Sequence, residues 1–420
     1  MNPLVYIESY GELYDFMKDC QVIEDWGCGN QIFKSFINNT VNNVLLDEKF
    51  NNIEYIGIEN DDIDTSTVDS IDYVTNFKDY RSDLAPEFGI LMNIGLHKYP
   101  YWKRIFVNAL ESNPRKIACI VPDNLLADAK NYMKIYTHYS YQEMSLSSGV
   151  GSSILLLTRI NFGNGEYPEK NGRTAVCTVI LHKYDVPKDV SKCPYDDIDF
   201  FLFTDDREFC KDKGWILMDA TNHLTDVGLD IGGLKSISVD SSANVICKWY
   251  KTCIHRVPEL QKYSRLCVID ASLEMIDFAL FKVTDPSINW DEGYKSSDGN
   301  LAPIVFYRHP YRNDIVTEAS AALAFCRYVF QPVCQQADSY MKEGYPNEYL
   351  LASGYYMRDN DPKINRAFEL WYLEIQKWTD LCQLSLLYSF WVMSLAKPFL
   401  MPDDIFCGKW VRFHHHVFNY

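Results

Sequence analysis

The sequence predicts an α/β protein of two domains, and three observations carry that prediction. Short apolar runs ending in an acid or a glycine turn alternate with stretches of helical spacing. A run dense in Gly, Asn and Pro, residues 161–172, interrupts the pattern and makes a natural linker. The length, 420 residues, exceeds what one ordinary core holds. The first domain is placed at 1–162, the linker at 163–172 and the second domain at 173–420.

In the first domain, Leu13, Phe16 and Met17 stand at helical spacing and predict a helix over 1–20. Gln21-Val22-Ile23-Glu24-Asp25 reads as a strand, and Trp26-Gly27-Cys28-Gly29-Asn30 as a tight turn leading to a helix from Ile32. Tyr55-Ile56-Gly57-Ile58-Glu59 is a second strand ending in an acid. Further strands are predicted at 72–75, 88–92 and 117–121, with helices at 102–111 and 125–136. A closing pair at 141–145 and 153–159 gives a doubly wound sheet an antiparallel edge.

The second domain restarts with a strand at 174–181. Phe200 to Phe203 is another, running into Thr204-Asp205-Asp206, and a third fits 215–218. A helix over 245–255 aligns Lys248, Lys251 and His255 on one face. Leu266 to Ile269 is a buried strand that runs into Asp270-Ala271-Ser272, and 304–307 is a strand followed by Arg308-His309-Pro310-Tyr311-Arg312. A helix is predicted at 314–330, a strand or turn at 348–357, and one long apolar helix at 371–396. The tail over 409–416 reads as an extended aromatic and basic segment with His414, His415 and His416.

The balance of 40 basic against 57 acidic residues gives a net charge of −17, which argues against a nucleic-acid partner. The 13 cysteines include no C-x-x-C pair and no zinc spacing, so they read as reduced thiols of a cytoplasmic protein. The most apolar stretch, 381–396, carries Gln383, Ser385 and Ser389 and is too short to span a membrane.

The chemistry-bearing residues of the first domain are a glycine turn and a later acid. Gly27 and Gly29 let a ligand approach the backbone, and Glu59 at the end of the next strand can accept ribose hydroxyls. Taken alone this also fits a plain strand–helix turn. The run Asp25-Trp26-Gly27-Cys28-Gly29, with Gly57-Ile58-Glu59 after it, resembles the first two motifs of class I S-adenosylmethionine-dependent methyltransferases. That resemblance covers roughly 1–160 and implies a Rossmann-like sheet. It implies Asp25, Gly27, Gly29, Glu59 and Asn93 as residues that bind S-adenosylmethionine, with the two glycines cradling its methionine part, Glu59 at the ribose and Asp79 toward the adenine. Asn93 and His97 follow the fourth strand, where such enzymes face their substrate; His97 reads equally as a general base or a plain loop histidine. A further glycine common in the motif is replaced by Asn30-Gln31.

In the second domain, acids at strand ends and basic groups nearby suit a nucleotide with a diphosphate. Phe203-Thr204-Asp205-Asp206, Lys251-Thr252-Cys253-Ile254-His255, Tyr263-Ser264 with Ile269-Asp270-Ala271, Phe306-Tyr307-Arg308-His309-Pro310-Tyr311-Arg312 and Gln383-Leu384-Ser385 occur in order. Together they resemble GT-A glycosyltransferases, and more narrowly the family related to plant mucilage glycosyltransferases. The resemblance implies a donor site built from Asp205, Asp206, Lys251, His255, Arg308, His309 and Arg312. It also implies a divalent manganese or magnesium ion on Asp270, completed by His414 or His416, and catalytic work by Asp270, Asp380 and Gln383. That family tends to carry Arg-Asp before the glutamine, where this chain has Leu381-Cys382, and Asp270 stands as one acid where many relatives have two. Read from the residues alone, Asp205 and Asp206 equally fit helix caps, Arg308 and Arg312 surface ion pairs, and the histidine run an exposed tail.

The expected function is a bifunctional enzyme of glycan synthesis. Its second domain would transfer sugar from a nucleoside diphosphate sugar to a hydroxyl on a glycan, and its first would methylate a sugar hydroxyl. The alternatives are a methyltransferase with a non-catalytic glycan- or nucleotide-binding second domain, and a non-enzymatic scaffold with two degenerate sites.

Overall fold

The structure, a computed structural model, describes residues 4–28, 53–60, 72–84, 87–93, 96–136, 138–145, 151–160, 169–208, 211–220, 243–282, 303–325 and 328–414. It is α/β throughout and divides into two compact units, Met1–Asn164 with Val392–Ser394, and Gly165–Trp391 with Leu395–Tyr420.

The first unit opens with helix α1 (Leu4–Met17) and strand β1 (Val22–Trp26). Strands β2 (Glu54–Asn60), β3 (Tyr73–Thr75) and β4 (Gly89–Met92) follow, then α2 (Trp102–Glu111), β5 (Lys116–Pro122), α3 (Asp123–Ile135), β6 (Tyr139–Ser145) and β7 (Ser152–Arg159). The sheet runs β3-β2-β1-β4-β5-β7-β6. Every neighbouring pair from β3 to β5 is parallel, and β7 alone runs against its neighbours on both sides. Leu13 and Met17 of α1 pack with Ile23, Leu91, Ala118 and Ile154 of the sheet. Each Leu, Ile or Met side chain among these contributes about 1.5–3 kcal/mol when fully buried. Gly89 lets α1 lie this close, since a Cβ there would meet Met17 Cε at 2.5 Å and Cys20 Sγ at 2.9 Å.

The second unit begins with β8 (Thr174–Ile180), β9 (Ile198–Thr204), β10 (Ile216–Asp219), α4 (Ala243–Cys253), β11 (Arg265–Ile269) and β12 (Leu273–Met275). It continues with β13 (Ile304–Arg308), α5 (Ile315–Ala322), α6 (Val333–Lys342), β14 (Leu351–Asp359) and α7 (Pro362–Lys377). It closes with α8 (Gln383–Val392), β15 (Phe399–Leu400) and β16 (Val411–Phe413). The large sheet runs β10-β9-β8-β11-β14-β13-β15, with β12 and β16 forming a separate antiparallel pair. Strands β10, β9, β8 and β11 are mutually parallel; β14 is antiparallel to both β11 and β13.

Two helices that the sequence predicts as continuous are broken in the structure. The helix expected over 314–330 ends at Ala322, and α6 starts only after Pro332, which disfavours helical backbone at the residue before it. The long helix expected over 371–396 is two helices. Residues 378–382 are held out of helical form by hydrogen bonds from Thr379 Oγ1 to Gln336 Oε1 (2.8 Å), Asp380 N to Gln331 Oε1 (3.0 Å) and Trp371 Nε1 to the Cys382 carbonyl (2.8 Å). Helix α7 starts nine residues before 371, at Pro362, capped by Asp361, whose side chain accepts from Lys363 N and Ile364 N. The Asp-Pro pair is a capping signal legible in the sequence.

Candidate functional site

In both sheets the strand order reverses once among the parallel strands: between β1 and β4 in the first unit, and between β8 and β11 in the second. Open α/β sheets leave a crevice at such points, outside the carboxyl ends of the strands.

In the first unit the chain leaves β1 through Gly27, whose φ of 80° lies in the left-handed region that favours glycine. Its N–H donates to the Ile58 carbonyl at 2.8 Å, and Asn93 N donates to the Trp26 carbonyl at 2.9 Å. Trp26 pairs with Ile58 and Met92 in the sheet, so Glu59 and Asn93, one residue further on, come to the same rim. Asp25, Gly27, Glu59 and Asn93 are thus brought together. Gly29, the helix expected from Ile32, and the side chain of His97 lie outside the described residues; His97 falls on a single 3-10 turn, Leu96–Lys98.

Asp25 is fully buried. Tyr55 Oη donates to its Oδ2, while Oδ1 has no partner among the described residues. Burial, with a smaller push from the Glu59 charge, raises its carboxyl to about 7 against the pull of Tyr55. Its neighbour Glu24 is satisfied differently, accepting from Trp26 Nε1 (2.9 Å), Tyr80 Oη (3.1 Å) and Ser82 Oγ (2.8 Å). Asp79 is held at 2.6 Å by Arg104, an ion pair that only the structure reveals. Trp26 stacks on Phe77 at 5.9 Å, and Asp72 accepts from Gly57 N at 2.7 Å.

In the second unit a cavity of about 850 Å³ opens at the carboxyl ends of β8 and β11. Ile180, Tyr184, Asp185, Asn244, Lys248, Lys251 and Asp270 are on its wall. Asp270 leaves β11 with its N–H on the Gly354 carbonyl at 2.8 Å. Lys251 Nζ lies 2.5 Å from Asp270 Oδ1. A second cavity, about 210 Å³, shares Lys248, Lys251, Asp270, Ser272 and Phe413 with the first and adds His309, Ser353, Asp380, Cys382 and Gln383. The broken helix described above delivers Asp380, Cys382 and Gln383 here. Asp380 accepts from Asn244 Nδ2, tying the 378–382 link to α4. Gln383 begins α8, and Asp380 stands on the link before it, outside either helix.

Other expected site residues stand elsewhere. Asp205 accepts from His182 N at 3.0 Å and lies 2.9 Å from His182 Nδ1, while Asp206 pairs with Lys183 at 2.9 Å; these hold the turn after β8, at whose edge His182 reaches the larger cavity. His255 departs from the lysine face onto a 3-10 turn and is buried, Nε2 at 2.8 Å from Glu369 Oε1 and Nδ1 at 3.0 Å from Arg358 Nη2. Because arginine only donates, Nδ1 accepts and the ring proton sits on Nε2. Burial lowers His255 to about 4; Glu369, with Arg256 at 2.6 Å, is held at about 2 despite its burial. Arg308 is exposed and donates to Asn313 Oδ1 at 3.3 Å, and Arg312 pairs with Glu318. His414 donates its backbone N–H to the Ser272 carbonyl at 2.7 Å and turns its ring to Glu274, Nε2 to Oε2 at 2.7 Å. His416 lies outside the described residues.

The implied divalent cation does not fit these residues. The single carboxylate of Asp270 is engaged by an ammonium, and no group of three His, Cys, Asp or Glu able to hold a metal occurs among the described residues. Beyond the expected residues, the cavity walls add Asn244, Lys248, Ser353, Gly354 and Cys382. For Asn244 the signal was present, since positions 244, 248 and 251 share one helix face.

No family model and no curated protein matches the chain. Solved structures match over part of it. A chain of the Pnkp1/Rnl/Hen1 RNA repair complex aligns over 37% of this chain and 41% of its own length, at 13% identity and a TM-score of 0.29. The plantazolicin methyltransferase BpumL, solved with a monoazolic desmethylPZN analog and SAH, aligns over 37% and 81%, at 10% identity and a TM-score of 0.28. Magnesium protoporphyrin IX methyltransferase (ChlM) from Synechocystis PCC 6803, with bound SAM, aligns over 37% and 80%, at 9% identity and a TM-score of 0.26. At these scores the likenesses carry no chemistry to this chain, whose sites rest on its own residues.

Proposed function

We propose that the second unit transfers a sugar from a nucleoside diphosphate sugar to a hydroxyl, and that the first unit is an S-adenosylmethionine-dependent methyltransferase acting on a sugar hydroxyl. The observation that carries the first part is the large cavity at the β8/β11 reversal, with Lys248, Lys251 and Asp270 on its wall. The order β10-β9-β8-β11-β14-β13-β15, with β14 reversed and a small β12–β16 sheet beside it, supports the GT-A resemblance of the motifs. Diphosphate departs with developing negative charge, and two ammoniums in a partly enclosed site stabilise it where that charge appears. Asp270, held by Lys251, orients that ammonium and faces the sugar from the shared wall of the two cavities. The smaller cavity, with Asp380 and Gln383, is the acceptor's side.

For the first unit, the order β3-β2-β1-β4-β5-β7-β6 with β7 reversed supports the methyltransferase reading, together with the Gly27 turn and the Asp25 Oδ1 that has no partner among the described residues. Bound S-adenosylmethionine supplies an electrophilic methyl group. Gly27 would give it a backbone approach, Asp25 a buried acceptor and Glu59 a place for ribose hydroxyls. Thermal unfolding with S-adenosylmethionine and a panel of nucleoside diphosphate sugars, with and without manganese, tests both parts, since a ligand bound to the native state raises its melting temperature. Transfer to saccharide acceptors then separates catalysis from binding. A shift with the donors but no transfer or donor hydrolysis would leave the second unit a binding module.

A further inference from the structure

Cys382 stands in the smaller cavity, where the resemblance leads one to expect a carboxylate. It is 2% exposed, and its carbonyl is pinned by Trp371. Lys248 Nζ donates to its Sγ at 3.2 Å, and Ser353 Oγ lies 3.2 Å from the same sulfur. An ammonium has protons to give and no lone pair to offer, so this geometry favours sulfur as the anion. The other charged or titratable groups on this wall are Lys251 of α4, Asp270 after β11, His309 after β13, Tyr328 before α6 and Asp380 of the 378–382 link. Burial alone would raise the thiol, but Lys248, Lys251 and the Ser353 hydrogen bond hold Cys382 below its ordinary value. Cys28 and Cys253, buried with no lysine hydrogen bond to sulfur among the described residues, are pushed up to about 12.

We propose that Cys382 is a thiolate held by Lys248 at the floor of the acceptor cavity, and that it takes the proton from the acceptor hydroxyl during sugar transfer. The proposal rests on the glycosyl-transfer reading above. The hydroxyl O–H bond breaks and its proton goes to Sγ. The oxygen's electron pair forms the new bond to the anomeric carbon. The bond from that carbon to the diphosphate breaks, and its pair leaves with the diphosphate. The thiolate charge disappears as the diphosphate charge grows, so Lys248, on the wall of both cavities, is released from sulfur toward the leaving group. Loss of the thiol proton to water on product release restores the starting state.

The test uses the full chain. Iodoacetamide labelling of Cys382, read by peptide mass spectrometry from pH 5 to 10, should show a midpoint below the ordinary thiol value of about 8.5. Lys248→Met should raise that midpoint by about one unit and slow labelling at pH 7 about tenfold. An ordinary or higher midpoint, or no labelling while the chain stays folded, overturns the thiolate. In transfer assays Cys382→Ala should lose about 100-fold or more in kcat with little change in donor KM, a scale usual for a lost general base. Cys382→Asp should recover part of it with the acid limb of the pH profile moved down. Full kcat in a folded Cys382→Ala overturns the catalytic role. If calorimetry finds no nucleoside diphosphate bound to the unaltered chain, the underlying reading fails and the base role with it, while labelling still decides the ionisation.

Discussion

Lys251 Nζ sits 2.5 Å from Asp270 Oδ1, on the wall shared by both cavities of the second unit. Asp270 ends the buried strand β11, and Lys251 comes from the face of α4 that also carries Lys248. A strand-end acid and a helix cation thereby become one charged element of the site. Asp270→Asn should reduce sugar transfer at least about 100-fold, in the range seen when an electrostatic group at a reacting centre is removed. S-adenosylmethionine binding should stay unchanged, because Asp270 belongs to the other unit. Steady-state kinetics with calorimetry checks both halves; unimpaired transfer would remove Asp270 from the site.

Asp25 predicts a pH dependence of the first unit. Its folded value of about 7 exceeds the usual unfolded value of about 3.9. The folded state therefore binds the proton more tightly, and its contribution is complete below pH 4 and lost as pH rises through 7. Asp25→Asn should flatten this slope. Urea unfolding of the first unit at pH 4.5 and 7.5 measures it.

His255 and Glu369 predict the opposite slope in the second unit. Both have folded values, about 4 and about 2, below their unfolded ones. Their contribution is present above about pH 6.5 and is lost as pH falls, first through His255 and then through Glu369. Removing one partner of a buried ion cluster costs about 3–5 kcal/mol, so Glu369→Gln should destabilise this unit by that order. Chemical denaturation followed by tryptophan fluorescence between pH 3 and 8 tests the slope, and a second unit that gains stability on acidification would contradict it.

Gly27→Val should abolish S-adenosylmethionine binding. A β-branched side chain at a φ of 80° is strained by about 1–2 kcal/mol, and its Cβ narrows the backbone approach after β1. Calorimetry should show binding lost while the circular dichroism spectrum is retained. Retained affinity would move the ligand away from this turn.

The sheet strands were largely legible, because largely buried strands such as β5, β9 and β11 leave near-continuous apolar runs, each followed by an acid, Asp123, Asp205 or Asp270. Asp270 and Lys251 could be picked out on that basis. The break at 378–382 could not. Its residues are apolar enough to continue a helix, and what stops them is a set of side-chain hydrogen bonds, from Thr379 to Gln336, from the Asp380 N–H to Gln331 and from Trp371 to the Cys382 carbonyl, long-range for the first two. Cys382 was hidden for the same reason, since its character depends on Lys248, 134 positions away in sequence. His255 misled because helical spacing was extended past Cys253, where α4 ends and the ring turns into the Glu369–Arg358 cluster. Strand β12 is three residues long and its partner lies at the far end of the chain, too little pattern to read.

The most direct measurement is a calorimetric titration of the full chain with UDP, GDP and dTDP in chelator-treated buffer, repeated on Lys248→Met/Lys251→Met. At least one of them should bind to the unaltered chain, with binding weakened about 100-fold or more in the double variant, as expected when two charge-assisted contacts are lost. No binding of any nucleoside diphosphate, or binding that the double variant leaves intact, would contradict the proposed donor site.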